Sequence, residues 1–419
     1  MENKKIENAK FGAEAFKDYK MKLPGLFPRI MGPNAMKYLQ EVVESGLTSN
    51  MMSRFETAFA KEYGVKHCIA TPGCTPALHM LAAAFGFEPG DEIIVSPITD
   101  YGTIQGLVCE NYIPVFADTD ENSINMSAAT IEKCITPRTR AILVVHKTGL
   151  ICDMDPILEL AKKNNLVVYE DVCQAVFGKY KGRYAGTMGL AAGFSFDGEK
   201  TMGSDTGGCI ITNDDELANR ARYMGQSRGA KTLPGFGRIH DALGYAYRMP
   251  MGTAAITLAQ LEIIKPHVEK IDLMARYLSS LIDQIDGVHS LHIPEYIDVY
   301  SCWMFGFTID LEKFNCTLED FAAQLAKEGI GDAGAGKYYL MPEALTFLQR
   351  KAANKIYPYS KPTASYDYTY GAGTCPNAKA FLNKFIRWSS FNERYEKEHC
   401  ELAASMIEAV AARNRKRND

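Results

Sequence analysis

Short, nearly uninterrupted apolar runs rich in β-branched residues recur along the first half of the chain: Asp91-Glu-Ile-Ile-Val95, Arg140-Ala-Ile-Leu-Val-Val-His146 and Leu166-Val-Val-Tyr-Glu170. Runs of this length without polar alternation predict strands buried on both faces. Between them lie stretches with helical spacing, Thr75–Phe85, Ser127–Ile135 and Asp155–Asn164. The last places Asp155 at an N-cap and Pro156 at the first helical position. Strand alternating with helix predicts an α/β fold on a mainly parallel sheet, covered by helices on both faces.

The pattern changes in the second half. Ile256, Leu258, Leu261, Ile264, Val268, Ile271 and Leu273 recur at helical spacings and predict one long connecting helix within residues 255–285. Beyond it, a strand-like run Trp303–Ile309, a capping-box signal at Thr317-Leu-Glu-Asp320 and a terminal amphipathic stretch with Leu402, Met406 and Val410 predict a smaller α+β lobe. Residues 334–373, with Pro342, Pro358, Pro362 and many tyrosines, read as a long loop over the lobe junction. Residues 1–45 are polar and punctuated by Pro24, Pro28 and Pro33, which marks an arm. The expected organisation is therefore an arm at 1–45, a large domain at 46–285 and a small C-terminal domain at 286–419.

Composition narrows the function classes. With 47% apolar and 23% charged residues the chain has material for a large core, which excludes a disordered or disulfide-stapled scaffold. A net charge of −4 gives no pull toward nucleic acid or an anionic membrane. The 11 cysteines form no Cys-x-x-Cys pair and meet no histidines at zinc spacing, so free thiols in a reducing compartment are expected and no metal site is. The first residues lack a signal-peptide core and no apolar run is long enough to span a bilayer, so a cytoplasmic protein is expected.

Candidate chemistry is dispersed over the first 210 residues. Asp171 follows the apolar run Leu166–Glu170, at the edge where open α/β sheets bind ligands; on position alone a helix cap would serve equally. Further on, Phe194-Ser-Phe-Asp-Gly-Glu-Lys200 ends a strand in Ser195 and presents Lys200 on a turn, before Gly207-Gly208 lead into another strand. A carboxylate at one strand end and a lysine on a neighbouring turn are the two groups a pyridoxal 5′-phosphate enzyme requires, one to keep the pyridine nitrogen protonated and one to form the Schiff base. The third element, Ile69-Ala-Thr-Pro-Gly73-Cys74-Thr75-Pro76, runs from strand through small residues into a helix and aims backbone N–H groups at an anion. By contrast, Gly331-Asp-Ala-Gly-Ala-Gly336-Lys337 has P-loop spacing but continues with Tyr338, where that loop needs Ser or Thr, so a glycine-rich surface loop is the better reading.

The joint order of Ala77-Leu-His79, Pro89-Gly-Asp-Glu92, Val145-His146, Asp153-Met-Asp155, Glu170-Asp171 with Gln174-Ala175, Ser195-Phe196 with Lys200, Gly207-Gly208, Gly244-Tyr245 with Tyr247-Arg248-Met249, and Cys375-Pro376 resembles the DegT/DnrJ sugar aminotransferase family. The resemblance runs from about residue 46 to the C-terminus. It implies fold type I of the pyridoxal phosphate enzymes and a homodimer with the active site at the subunit boundary. It further implies transfer of an amino group from an amino acid, glutamate or glutamine, to a keto sugar (nucleotide-linked or not) or a keto-cyclitol. By this resemblance Lys200 carries the cofactor and is catalytic, Asp171 partners the pyridine nitrogen, and Gln174 is a second polar contact. Gly73, Cys74, Thr75 and Ser195 form the phosphate cradle. Some relatives have His in place of the lysine and are dehydrases, so Lys200 favours transamination.

The chain departs from the family pattern at three places. Where an aromatic residue stacks on the pyridine ring, an ungapped count from Glu92 lands on Asp100, with Tyr101 beside it. Either Tyr101 stacks through a one-residue shift, the preferred reading because a carboxylate offers no dispersion area, or Asp100 lies over the ring. The family's Gly-Tyr-Asn-Tyr-Arg reads Gly244-Tyr245-Ala246-Tyr247-Arg248, and its Gly-Glu-Gly-Gly reads Asp205-Thr206-Gly207-Gly208. The Ser195–Lys200 and His146–Gly149 segments lean toward the cyclitol and aminobenzoate branch. The alternatives are a dehydratase or lyase of the same fold, a non-catalytic cofactor-binding regulator, and a nucleotidase using Lys337. His146, Arg248 and Cys173 read as structural residues.

Overall fold

A computed structural model describes residues 21–226, 231–240, 243–361 and 368–416. Helices α1 (Ala35–Glu44) and α2 (Met51–Tyr63) precede the large sheet. Its strands are β1 (His67–Thr71), β2 (Glu92–Val95), β3 (Ile113–Phe116), β4 (Thr139–Val145) and β5 (Val167–Asp171). A short hairpin, β6 (Lys179–Tyr180) and β7 (Arg183–Tyr184), then precedes β8 (Ala191–Ser195) and β9 (Gly208–Thr212). Helices α3 (Cys74–Phe85), α4 (Tyr101–Cys109), α5 (Ala128–Glu132), α6 (Met154–Lys163) and α7 (Asp215–Gln226) connect or follow them. The order across the sheet is β1-β9-β8-β5-β4-β2-β3. β9 runs antiparallel to both neighbours and the other pairings are parallel, so the sheet is mainly parallel as expected. Strands β2, β8 and β9 are buried at every residue, which is why they read as continuous apolar runs.

Aromatic packing fixes the part of the sheet that carries the site. Phe59 of α2 meets Phe194 of β8 edge-on at 5.3 Å, and Phe55 meets Phe196 at 5.4 Å. Contacts of this kind contribute roughly 0.5–1.5 kcal/mol each beyond burial. They clamp the end of β8, and with it the start of the turn to Lys200.

After a hairpin of β10 (Lys231–Leu233) and β11 (Gly237–Ile239), two helices follow, α8 (Met251–Leu261) and α9 (Ile264–Ile282). They replace the single helix expected over 255–285. Pro266 forces the break: inside a continuous helix its ring would meet the Glu262 carbonyl, whereas in the first turn of α9 its missing N–H costs nothing. The remaining strands are β12 (Val288–Ser290), β13 (Ile297–Val299), β14 (Phe305–Ile309), β15 (Gly334–Ala335) and β16 (Phe385–Trp388). Four of them form a second sheet in the order β12-β14-β16-β15, while β13 pairs back with β6 of the large part. Helices α10 (Leu318–Glu328), α11 (Met341–Ala344), α12 (Thr346–Ala353), α13 (Pro376–Leu382) and α14 (Lys397–Asn414) complete the described chain.

Two further expectations change. The N-cap of α6 is Asp153, not Asp155, and Pro156 is its third residue. Asp155 instead faces β6 and β7, where hydrogen bonds from Lys181 and Arg183 pull its carboxyl down to about 2. Residues 334–373 are not one loop: they hold β15, α11 and α12, and their far end returns to the large sheet, where the Tyr370 hydroxyl donates to the Pro114 carbonyl at 2.7 Å. Residues 362–367 of that stretch lie outside the described residues, as do residues 1–20 of the arm.

Candidate active site

Because β9 runs against its neighbours, its start and the ends of β1 and β8 share one edge of the sheet: Thr71 pairs with Gly208, which pairs with Ser195. Asp171, last residue of β5, sits across from Gly193 on the same edge. A cavity of about 380 Å³ opens there, with Gly73, Cys74 and Thr75 on one wall, Asp100 and Asp171 on another, and Ser195 and Lys200 beside the mouth.

Asp171 is 1% exposed and is oriented from three directions. Thr103 Oγ1 donates to Oδ2 at 2.7 Å, and the Cys173 N–H donates to Oδ1 at 3.1 Å. The Cys74 thiol lies 3.8 Å from Oδ1. A buried carboxylate with donors on both oxygens is held in one rotamer, aimed at whatever occupies the cavity. Cys74, Asp171 and Cys173 do bring metal-ligand atoms within 4.8 Å of one another. Both oxygens of Asp171 already accept hydrogen bonds, and a hydrogen bond with Cys173, burial and the Asp171 charge all push the Cys74 thiol well above its ordinary value.

At the opposite wall, Gly73 is the N-cap of α3, and its carbonyl accepts the Ala77 N–H. The N–H groups of Cys74 and Thr75 belong to the first turn and have no partner within the helix. With the helix dipole behind them they form an anion site, next to the Ser195 hydroxyl. Gly102 allows the close approach of α4: a Cβ there would lie 2.3 Å from Thr75 Oγ1.

Lys200 extends from the turn after β8, and its ammonium lies 3.7 Å from the centroid of the Trp303 ring. Trp303 is fixed by its indole N–H, which donates to the Glu199 carbonyl at 2.9 Å. The N-terminal arm reaches the same turn, since Arg29 donates to the carbonyls of Lys200 and Thr201 at 2.9 and 3.0 Å.

The structure distributes the remaining expected residues differently. Asp100 caps α4, accepting the Gly102 N–H, and lines the cavity. Tyr101, the first residue of that helix, turns outward and is 61% exposed, so of the two neighbours it is Asp100 that reaches the cavity wall. Gln174 is buried, and its oxygen accepts the Thr148 N–H at 2.6 Å, so it braces the turn after β4. His146 is structural: it is fully buried, with its ring 2.9 Å from Glu170. Burial pushes the Glu170 carboxyl up, but hydrogen bonds from His146 and from the Gly189 and Gly186 N–H groups outweigh it and hold it below the ordinary value. Tyr245 stacks on Tyr247 and bonds Glu110, which His79 also contacts at 2.8 Å. Lys337 pairs with Glu319 at 2.6 Å, and of the glycines before it Gly334 lies in the short strand β15, which interrupts the would-be phosphate loop.

Sequence reasoning missed Thr103, Trp303, Arg29 and Lys147. Nothing local marks Thr103 or Arg29. Trp303 is one of only two tryptophans, and Lys147 is a cation directly following an apolar strand; both signals were present without a partner to interpret them.

A stretch of 244 residues is 42% identical to GDP-perosamine synthase of Caulobacter vibrioides, covering 58% of this chain and 65% of that one, just under two thirds of its length. The spore coat polysaccharide biosynthesis protein SpsC of Bacillus subtilis is 33% identical over 316 residues, covering 73% of this chain and 80% of that one. Among solved structures, 3-amino-5-hydroxybenzoic acid synthase superposes with a TM-score of 0.79 at 24% identity, over 94% of this chain and 99% of that one, which shows a shared fold, type I of the pyridoxal phosphate enzymes. The profile of the DegT/DnrJ/EryC1/StrS aminotransferase family matches residues 30–367, and the chain belongs to that family.

Proposed function

We propose that the protein is a pyridoxal 5′-phosphate-dependent aminotransferase that carries an amino group from an amino acid, glutamate or glutamine, to a keto sugar. The observation that carries this reading is the placement of Lys200 and the buried, doubly oriented Asp171 around one cavity that ends in the free N–H groups of α3. The residues fit the cofactor. Thr75, the backbone of Gly73 and Cys74, and Ser195 would hold its phosphate, and Asp171 its ring nitrogen. Asp100 rather than Tyr101 would be the residue beside the ring, and Gln174 would act through the turn it braces.

When bound, the cofactor supplies the electron sink for breaking the bond to an α-proton. Lys200 Nζ moves that proton, and the Trp303 face keeps the amine within reach of the cavity. Thr103 and the Cys173 N–H hold the Asp171 side chain in its hydrogen-bonded orientation. The acceptor is a nucleotide-linked keto sugar rather than a cyclitol, supported by relatives at 33–42% identity named for perosamine and spore coat polysaccharide synthesis.

The protein acts as a homodimer, supported by the stripe Met36 and Val43 on α1 with nearby Leu47, exposed at 76%, 76% and 66%. A cytoplasmic setting is supported by eleven free thiols; among the described residues no helix is long and apolar enough to cross a membrane. The test is spectroscopic. Purified protein is expected to be yellow and to change its absorbance on addition of glutamate, while Lys200→Ala loses turnover by about 10²–10⁴-fold or more. Turnover retained in that variant overturns the reading.

A further inference from the structure

Lys147 is fully buried, and among the described residues its ammonium has no hydrogen-bond partner. It lies 3.3 Å from the centroid of the Tyr339 ring and 6.0 Å from that of Trp303, the same ring that receives Lys200. The turn that carries it is built to hold it there. Thr148 sits buried at φ +60, its N–H is bound by Gln174, and Gly149 at φ +93 packs so tightly that a Cβ would lie 1.9 Å from the Ser301 carbonyl oxygen. A buried, unpaired ammonium on a strained backbone opposes folding on both counts, so the arrangement calls for a compensating role.

The surroundings indicate what would compensate. Tyr339 and Trp303 also line a neighbouring cavity that contains Arg387, whose Nε is likewise buried without a partner and whose guanidinium reaches Ser389 at 3.0 Å. The groups acting on Lys147 are Cys173, Lys200, Asp100 and Asp171, with the Tyr339 ring on its face; none of the acids forms an ion pair with it among the described residues.

We propose that Lys147 is a substrate-recognition residue whose ammonium receives a carboxylate of the amino donor or of the acceptor, in the space between Lys200, Trp303 and Tyr339. This rests on the aminotransferase reading above and deepens it. Burial, reinforced by the Lys200 charge and only partly offset by Cys173, Asp100 and Asp171, lowers the Lys147 ammonium to about 7. A carboxylate binds the protonated form, so its affinity is full below pH 7 and falls by up to about tenfold per pH unit above it.

The experiment uses the holoenzyme and two carboxylate probes, glutarate for a donor and glucuronate for a sugar acceptor, each titrated calorimetrically from pH 6 to 9. Wild type is expected to bind one of the probes, and which one identifies the source of the carboxylate. Lys147→Met is expected to keep the cofactor's absorbance, to bind that probe about tenfold or more weakly with a flat pH profile, and to melt no lower than wild type. Lys147→Gln supplies the same comparison if the methionine variant does not fold. Unchanged probe affinity in a variant with normal cofactor absorbance overturns the proposal and leaves the aminotransferase reading standing, as does failure of both probes to bind wild type. A wild-type protein that takes up no cofactor overturns the aminotransferase reading itself.

Discussion

Asp171 shows how little of a site one residue supplies. Its carboxylate is useful only in the rotamer that Thr103 enforces, and the 2.7 Å contact crosses 68 positions of sequence. Replacing Thr103 by Val keeps the shape and removes the donor, leaving one buried carboxylate oxygen short of a hydrogen bond. Such a loss costs roughly 1.5–3 kcal/mol of stability for a charged group, so Thr103→Val is expected to lower the melting temperature by a few degrees and, by freeing the carboxylate, to lower kcat about ten- to a hundredfold. Single-turnover absorbance kinetics of the donor half-reaction would check it; unchanged kinetics would show that the Cys173 N–H alone orients the carboxylate. At this scale the sequence was legible in residue type and silent on partners. Asp171 and Ser195 could be picked out because they end apolar strands, and Lys200 because it follows on the next turn, whereas Thr103 sits among ordinary helix residues.

Among the elements, the turn Lys147–Gly149 between β4 and α6 couples the site to the rest of the fold. It is fixed from the large sheet by Gln174 and from the second part of the chain by Ser301. Gly149→Ala adds a methyl group into a backbone carbonyl at a left-handed φ, and the expected loss is about 2–4 kcal/mol of stability, seen as a lowered denaturant midpoint. Strands β2, β4 and β5 were readable from their apolar runs because both faces are buried, and α3, α5 and α6 from their helical spacing, whereas β3 and α4 were not. The break between α8 and α9 was readable too, from Pro266, but the apolar spacing on either side masked it. Residues 334–373 misread as a loop for a different reason. Their prolines and tyrosines suppress helical periodicity, while the order they adopt comes from long-range contacts such as Tyr370 with Pro114.

For the whole molecule, the arm and the proposed dimer face belong together. Arg29 ties the arm to the Lys200 turn, and α1 follows directly with one buried side, Ala35, Tyr38 and Val42, and one exposed apolar side, Met36 and Val43. Residues 36 and 43 are seven apart and lie on one stripe. Charging both, Met36→Glu with Val43→Glu, is expected to shift the protein from dimer to monomer in sedimentation velocity, with secondary structure retained. A dimer that survives this change places the interface elsewhere.

The sequence alone determined the α/β class, the central strands of the buried sheet, the residues at the edge that bears the cavity and the family resemblance, because burial on both faces and glycine-rich turns write themselves into local pattern. Only the tertiary structure decided that Asp100 and not Tyr101 reaches the cavity, that Trp303 receives Lys200, and that Lys147 is buried without a partner. These are facts of distance between segments far apart in the chain, and nothing in the spacing of neighbouring residues encodes which distant side chain will meet them.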